Sequence, residues 1–174
     1  MVILNYTLII SIILLVMFLL ICFVSKSEYE TKQCLKLPVS ADQIMQMLAD
    51  VETYPQWKKN LKKIEILKKN EDVILFREHY FTKKITYELN RYSDKMMLTL
   101  NLVKADFPLQ CNWVFQCKNT VGHDGCELEI SEHQKILSFW AKGVVYFIGH
   151  DYILHELIRN IRKSVQKKII APAF

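Results

Sequence analysis

No charged side chain occurs before Lys26. From Val2 to Val24 the chain is built from Ile, Leu, Val, Met, Phe and Cys, interrupted only by Asn5, Tyr6, Thr7 and Ser11. At about 1.5 Å per residue a helix over this stretch reaches roughly 35 Å, enough to cross a hydrocarbon core of about 30 Å. In water such a helix has no face to keep wet. The segment 1–25 therefore reads as a transmembrane anchor, and residues 26–174 as the domain it carries.

The competing reading is a secretory leader. A leader has a basic start, an apolar run of about 7–15 residues and a small-residue cleavage site. Here no Lys or Arg precedes the run, the run is longer, and the exit Ile21-Cys22-Phe23-Val24-Ser25 has no Ala-x-Ala character. Lys26, Lys32 and Lys36 lie after the span and no basic residue lies before it. The positive-inside bias then places the following domain in the cytoplasm, as a single-pass protein.

About 150 residues remain, the size of one domain with one core. They carry all 23 Lys and Arg and all 18 Asp and Glu, a net charge of +5. That mild excess suits anionic headgroups and falls short of the basic stripe of a nucleic-acid binder. The densest cluster, Lys58, Lys59, Lys62, Lys63, Lys68 and Lys69, reads as a solvated face beside Leu61, Ile64, Ile66 and Leu67. Cys34, Cys111, Cys117 and Cys126 show neither CxxC nor a zinc-site spacing, and Cys111 and Cys117, on one face with Trp113 and Phe115, are expected to be buried free thiols.

Four Gly and four Pro punctuate the chain. Residues 28–38 read as a strand. Ser40 or Asp42 can cap a short helix through Ala49, and Pro55 fits the first turn of another that carries Trp57. Strands are expected at 62–69, 73–81, 85–92, 96–103, 110–118 and 126–133. Cys111, Trp113, Phe115 and Cys117 alternate with Asn112 and Gln116, and Cys126, Leu128 and Ile130 alternate with Glu127, Glu129, Ser131 and His133. Period two with short connections gives an antiparallel meander with one buried face. After Leu137 the period changes. Ile153, Leu154, Leu157, Ile158, Ile161, Val165 and Ile169 form a helical stripe, and Arg162, Lys163, Lys167 and Lys168 complement the helix dipole near its end.

Two segments bear a family resemblance. PVSADQIMQMLADVETYPQW (Pro38 to Trp57) resembles the opening of the START-like superfamily, also called SRPBCC, which includes polyketide cyclases, dehydrases and lipid-transport proteins. CELEISEHQKILSFWAKGVVYFIGHDYILHELIRNIRKSV (Cys126 to Val165) is similar to its last strand, linker and closing helix. The resemblance covers roughly residues 30–168. Two departures leave the subfamily open. Gln110-Cys111-Asn112 stands where relatives commonly have a Gly before the Trp-bearing strand, and the Gly-rich loop of the plant pathogenesis-related branch is missing.

What the resemblance implies is an α+β helix-grip fold, a curved antiparallel sheet around a long C-terminal helix with an apolar cavity between them. Trp57, Tyr87, Leu100, Trp113, Phe115, Leu128 and Phe147 are the residues that would line such a cavity or fill it. Buried aromatic stripes are ordinarily core, so periodicity leaves lining and filling both open.

Chemistry-bearing motifs are sparse. His79, His123, His133, His150 and His155 form no metal pattern, and no GxSxG, GxGxxG or P-loop occurs. Nothing asks for a cofactor. Arg77 and His79 point inward if Val73 and Leu75 do, and outward if Ile74, Phe76 and Tyr80 face the core. Three functions remain. The first is membrane-tethered binding of a hydrophobic small molecule of lipid, isoprenoid or quinone type. The second is a cyclase- or dehydrase-type enzyme relying on Arg77, His79 or Tyr87. The third is an assembly factor holding an unknown protein partner on its lysines.

Overall fold

The computed structural model describes residues 2–120 and 125–170. The turn containing Gly122, His123 and Asp124 lies outside these, as do the side chains of Lys167, Lys168 and Ile169. The uncharged run forms α1 (Val2–Val24), and β1 (Glu28–Leu37) begins after three residues. Next come α2 (Ala41–Ala49) and the single turn α3 (Tyr54–Trp57). Six strands follow: β2 (Lys63–Lys69), β3 (Val73–His79), β4 (Lys84–Tyr92), β5 (Met97–Lys104), β6 (Leu109–Asn119) and β7 (Cys126–Ile136). Two helices, α4 (Phe139–Ile148) and α5 (Tyr152–Ile170), end the described chain.

Local chemistry explains the boundaries. The Ser40 side chain accepts from Gln43 N–H while the Gln43 side chain accepts from Ser40 N–H, a capping box at the start of α2. Pro55 sits in the first turn of α3. The tail forms two helices divided at Gly149, whose φ of +93° is open to glycine and strained for other residues. There Gly149 N–H closes α4 on Val145 O and the chain turns before α5.

All seven strands pair antiparallel in the order β1-β7-β6-β5-β4-β3-β2. The meander brings β7 beside β1, so the first and last strands close one side. One face is buried throughout. Leu35, Ile74, Phe76, Leu89, Leu98, Leu100, Trp113, Phe115, Leu128 and Ile130 share a core with Ile44 and Leu48 of α2 and with Leu154, Ile158, Ile161 and Val165 of α5. This is the helix-grip arrangement, a curved sheet holding the C-terminal helix. The register settles β3: Ile74, Phe76 and Glu78 point inward, and Arg77 and His79 point outward. A register shift between Thr86 and Tyr87 lets these neighbours both be buried.

Candidate functional site

The concave wall gathers most of the predicted lining. Tyr87, Leu100, Trp113, Phe115 and Leu128 are all buried there. Rings run in contact from α3 into the sheet: Tyr54 to Phe76 at 5.8 Å between centroids, Phe76 to Tyr87 at 5.7 Å, and Tyr87 to Trp113 at 6.1 Å. Trp57 is half-buried and lies edge-on to Tyr54 at 4.9 Å. Phe147 does not join them. It stands on α4 and is 66% exposed, because the break at Gly149 separates α4 from the helix that packs on the sheet.

Within this wall are polar groups the sequence reading missed. Glu78 has no exposed surface, since it shares strand parity with Ile74 and Phe76. Its Oε1 lies 2.5 Å from Lys58 Nζ, and its Oε2 accepts from Tyr80 O–H at 2.7 Å. Lys58 immediately follows α3 and its Nζ lies 4.4 Å from the Tyr54 ring centroid and 5.5 Å from that of Tyr87. A buried carboxylate therefore finds an ammonium, a phenol and ring faces together, the pairing that a charge withdrawn from water requires. Burial, then the nearby Glu78 charge, pushes the phenols of Tyr54, Tyr80 and Tyr87 above their ordinary range. Tyr54 donates to Leu48 O and Tyr80 to Glu78, as protonated phenols.

A second group lies where β6 meets β7. Glu132 is 2% exposed, and Cys111 Sγ donates to its Oε1 at 3.5 Å. Burial raises the Glu132 carboxyl above the usual carboxylate range, while nearby Gln134, Cys111 and Trp113 act in the opposite direction. Burial and Glu132 push the Cys111 thiol up, so a nucleophilic thiolate is disfavoured. Trp113 Nε1, Glu132 Oε2 and Gln134 Nε2 are buried and make no hydrogen bond of standard geometry within the chain. Glu132 and Gln134 continue the parity of Leu128 and Ile130. The signal was present, but polar residues at inward positions look like the end of a strand.

A cleft of about 1220 Å³ opens between α2–α3 and α5. Ile44, Met47, Trp57, Lys58, Ser164 and Val165 are among its walls, and the sheet residues of the predicted lining are not. Lys58 belongs to this cleft and also holds Glu78, linking the opening to the interior. It is thus not part of a solvated lysine face, whereas Lys59, Lys62, Lys63, Lys68 and Lys69 are exposed. On the outer face Arg77 and His79 pair with Glu65 at 3.4 and 2.7 Å, away from the concave interior. Among the described residues, Cys34 is an exposed free thiol, Cys111, Cys117 and Cys126 are buried free thiols, and no cluster suited to a metal ion occurs.

Comparison with known proteins agrees with this architecture. Residues 37–140 match the family described as polyketide cyclase / dehydrase and lipid transport. The Zhui aromatase/cyclase from Streptomyces sp. R1128 superposes with a TM-score of 0.69 at 11% identity, over 82% of this chain and 96% of that one. Norcoclaurine synthase from Thalictrum flavum, solved with dopamine and hydroxybenzaldehyde, gives 0.64 at 14% identity over 83% and 90%. A START superfamily protein from Mycobacterium smegmatis gives 0.59 at 16% identity over 79% and 97%. At these identities the likeness is one of fold. A DNA ligase from Mycoplasmopsis pulmonis is 26% identical over 130 residues, covering 62% of this chain. This chain spans 19% of that ligase's length.

Proposed function

The chain belongs to the polyketide cyclase/dehydrase and lipid transport family, and on that footing we propose that it binds a hydrophobic small molecule between the sheet and α5, in a domain of residues 26–174 held at a membrane by residues 1–25. Family and fold point to hydrophobic ligand binding or cyclase-type chemistry. The finer reading, a lipid, isoprenoid or quinone, rests on the anchor, because such molecules partition into bilayers and tethering raises their effective concentration at the domain.

One observation carries the binding reading. In an apolar wall, Trp113 Nε1, Glu132 Oε2 and Gln134 Nε2 are withdrawn from water beside one another, with no hydrogen bond of standard geometry between them. Buried polar atoms nearly always find a partner, and a few convergent polar groups in an apolar chamber are what orient a ligand. Tyr87, Leu100, Trp113, Phe115 and Leu128 supply the apolar contact, with Trp57 at the cleft.

Retention of α1 is supported by its packing. An ideal Cβ on Gly143 of α4 would lie 2.5 Å from Cys22 Sγ and 2.7 Å from the Phe18 ring. Helices approach that closely only where a residue lacks a side chain, and a cleaved leader has no such seat in the folded domain. With Lys26, Lys32 and Lys36 after the span, the domain faces the cytoplasm.

The Lys58–Glu78–Tyr80 cluster favours a second reading, an enzyme. A carboxylate, an ammonium and a phenol beside a cleft can hold and pass protons. Arg77 and His79, the earlier candidates, lie on the wrong face.

Titration of the detergent-solubilised chain with a long-chain prenol, a fatty acid and a ubiquinone analogue, read by tryptophan emission, tests the binding reading. At least one is expected to give a saturable change that Trp113→Phe abolishes and Trp140→Phe keeps. Absence of any saturable change with all three contradicts it.

A further inference from the structure

We propose that α4 is a second membrane element, sunk into the leaflet beside the exit of α1, so that lipid covers its outer face. The inference rests on the reading of α1 as a span.

The residues of α4 are distributed in the opposite sense from a water-facing helix. Its sequence, FWAKGVVYFI, has one charge, Lys142, and no acidic residue. Ala141 and Gly143 are its buried residues, while Phe139, Trp140, Tyr146, Phe147 and Ile148 are 47–66% exposed. A surface helix of a soluble domain buries its large apolar residues and exposes polar ones. Here the small residues form the seam and the large ones face out, the pattern of helices packed inside a bilayer. The seam is with α1: Gly143 faces Cys22 and Phe18, and among the described side chains of α1 Cys22 is buried, Phe18 and Ile21 are half-buried and the others are exposed.

Position along α1 sets the depth. Cys22 and Phe18 precede Lys26, the first charge, by four and eight residues, or about 6 and 12 Å along the axis. A helix touching both residues lies at the depth of the headgroup–acyl boundary, where in-plane helices are buried by roughly 5–10 Å. The join allows little slack. Ser25 N–H bonds Ile21 O at 2.9 Å, and Ile136 N–H bonds Ser27 O at 2.7 Å, so α1 passes into the β1–β7 pair within three residues. Trp140 also meets Phe107 of the β5–β6 loop at 5.5 Å, extending the apolar surface onto the domain. This surface is continuous with the exposed flank of α1, which selects the bilayer over a second copy of the chain as its cover.

The test uses the full chain in phosphatidylcholine–phosphatidylglycerol vesicles, with Cys34→Ser to remove the exposed thiol. A fluorophore is attached at Phe147→Cys, at Ile148→Cys as a second reporter, and at Glu71→Cys in the β2–β3 turn as a water-facing reference. Lipid-borne nitroxide is expected to quench both α4 labels several-fold more than the Glu71→Cys label, and aqueous iodide to show the reverse order. Equal iodide access at all three positions, with the chain retained after alkaline carbonate, overturns the inference and leaves the anchor standing. Shielding of the α4 labels from both quenchers means that protein covers α4, and also overturns it. Release of the chain by carbonate defeats the anchoring reading itself, and the inference falls with it.

Discussion

The two faces of the sheet treat the same kind of residue in opposite ways. On β3, Glu78 points into the core with no exposed surface and is held by Lys58 and Tyr80. On neighbouring β2, Glu65 points outward at 43% side-chain exposure and is shared by His79 and Arg77. Both are carboxylates with basic partners within 3.4 Å, yet their energetic weight differs. Outside, water and salt screen the pair and replace either partner. Inside, nothing replaces a lost partner, so the charge must be matched within the fold. A cation–carboxylate pair is therefore a structural commitment only on the concave side.

The largest effect should come from orphaning the inner charge. Lys58→Met leaves Glu78 buried and unpaired, and is expected to cost about 3–5 kcal/mol in urea unfolding. Lys58→Met with Glu78→Gln should recover a substantial part of that loss. A single variant as stable as wild type would erase the contrast between the faces.

Next in size is packing. Leu128→Ala, at a site with no exposed surface, should cost about 2–5 kcal/mol, while Glu129→Ala on the outer side should stay within about 0.5 kcal/mol. Comparable losses at both positions would contradict the assignment of faces.

A smaller effect with a definite sign belongs to Glu132. Burial raises its carboxyl in the folded chain above the ordinary value of 4.5. The folded chain then keeps a proton that the unfolded chain has released, so stability is fully present below pH 4.5 and falls as pH rises through the raised value. Glu132→Gln removes this slope, and its stability relative to wild type should grow with pH across that window. Parallel stability–pH curves would show that the site does not titrate differently on folding.

The smallest effect is expected on the outer face. The hydrogen bond from His79 lowers the Glu65 pKa most, burial opposes it, and the Arg77 charge adds to the lowering. Stability from this group is present above the unfolded pKa and lost as pH falls through the lowered value. Arg77→Ala at physiological salt should leave urea midpoints unresolved from wild type. A clear loss would mean that the outer cluster is structural.

Much of this arrangement was legible from residue order. Strict alternation in β6 and β7 identified Trp113, Phe115, Leu128 and Ile130 as one face, because a side chain's side follows from its parity alone. The same rule failed on β3, where Val73 and Leu75 are as apolar as Ile74 and Phe76, so only pairing with β2 and β4 decides which set turns inward. Glu78 was hidden for that reason. Lys58 was hidden within a run of lysines whose other members are exposed. Phe147 was misplaced because apolar character identifies a residue that avoids water, not the surface that shields it. The sequence shows Gly149 but not its φ, and that turn divides a sheet-packing helix from one packed on α1.

The central claim, that the concave interior receives a hydrophobic molecule, is tested most directly by native mass spectrometry of the full chain released from detergent micelles. The expected result is an adduct of one small hydrophobic molecule per chain, absent when Leu100→Trp fills the interior of a variant that still unfolds cooperatively. An adduct-free spectrum for the wild-type chain, or an adduct retained unchanged in the filled variant, would contradict it.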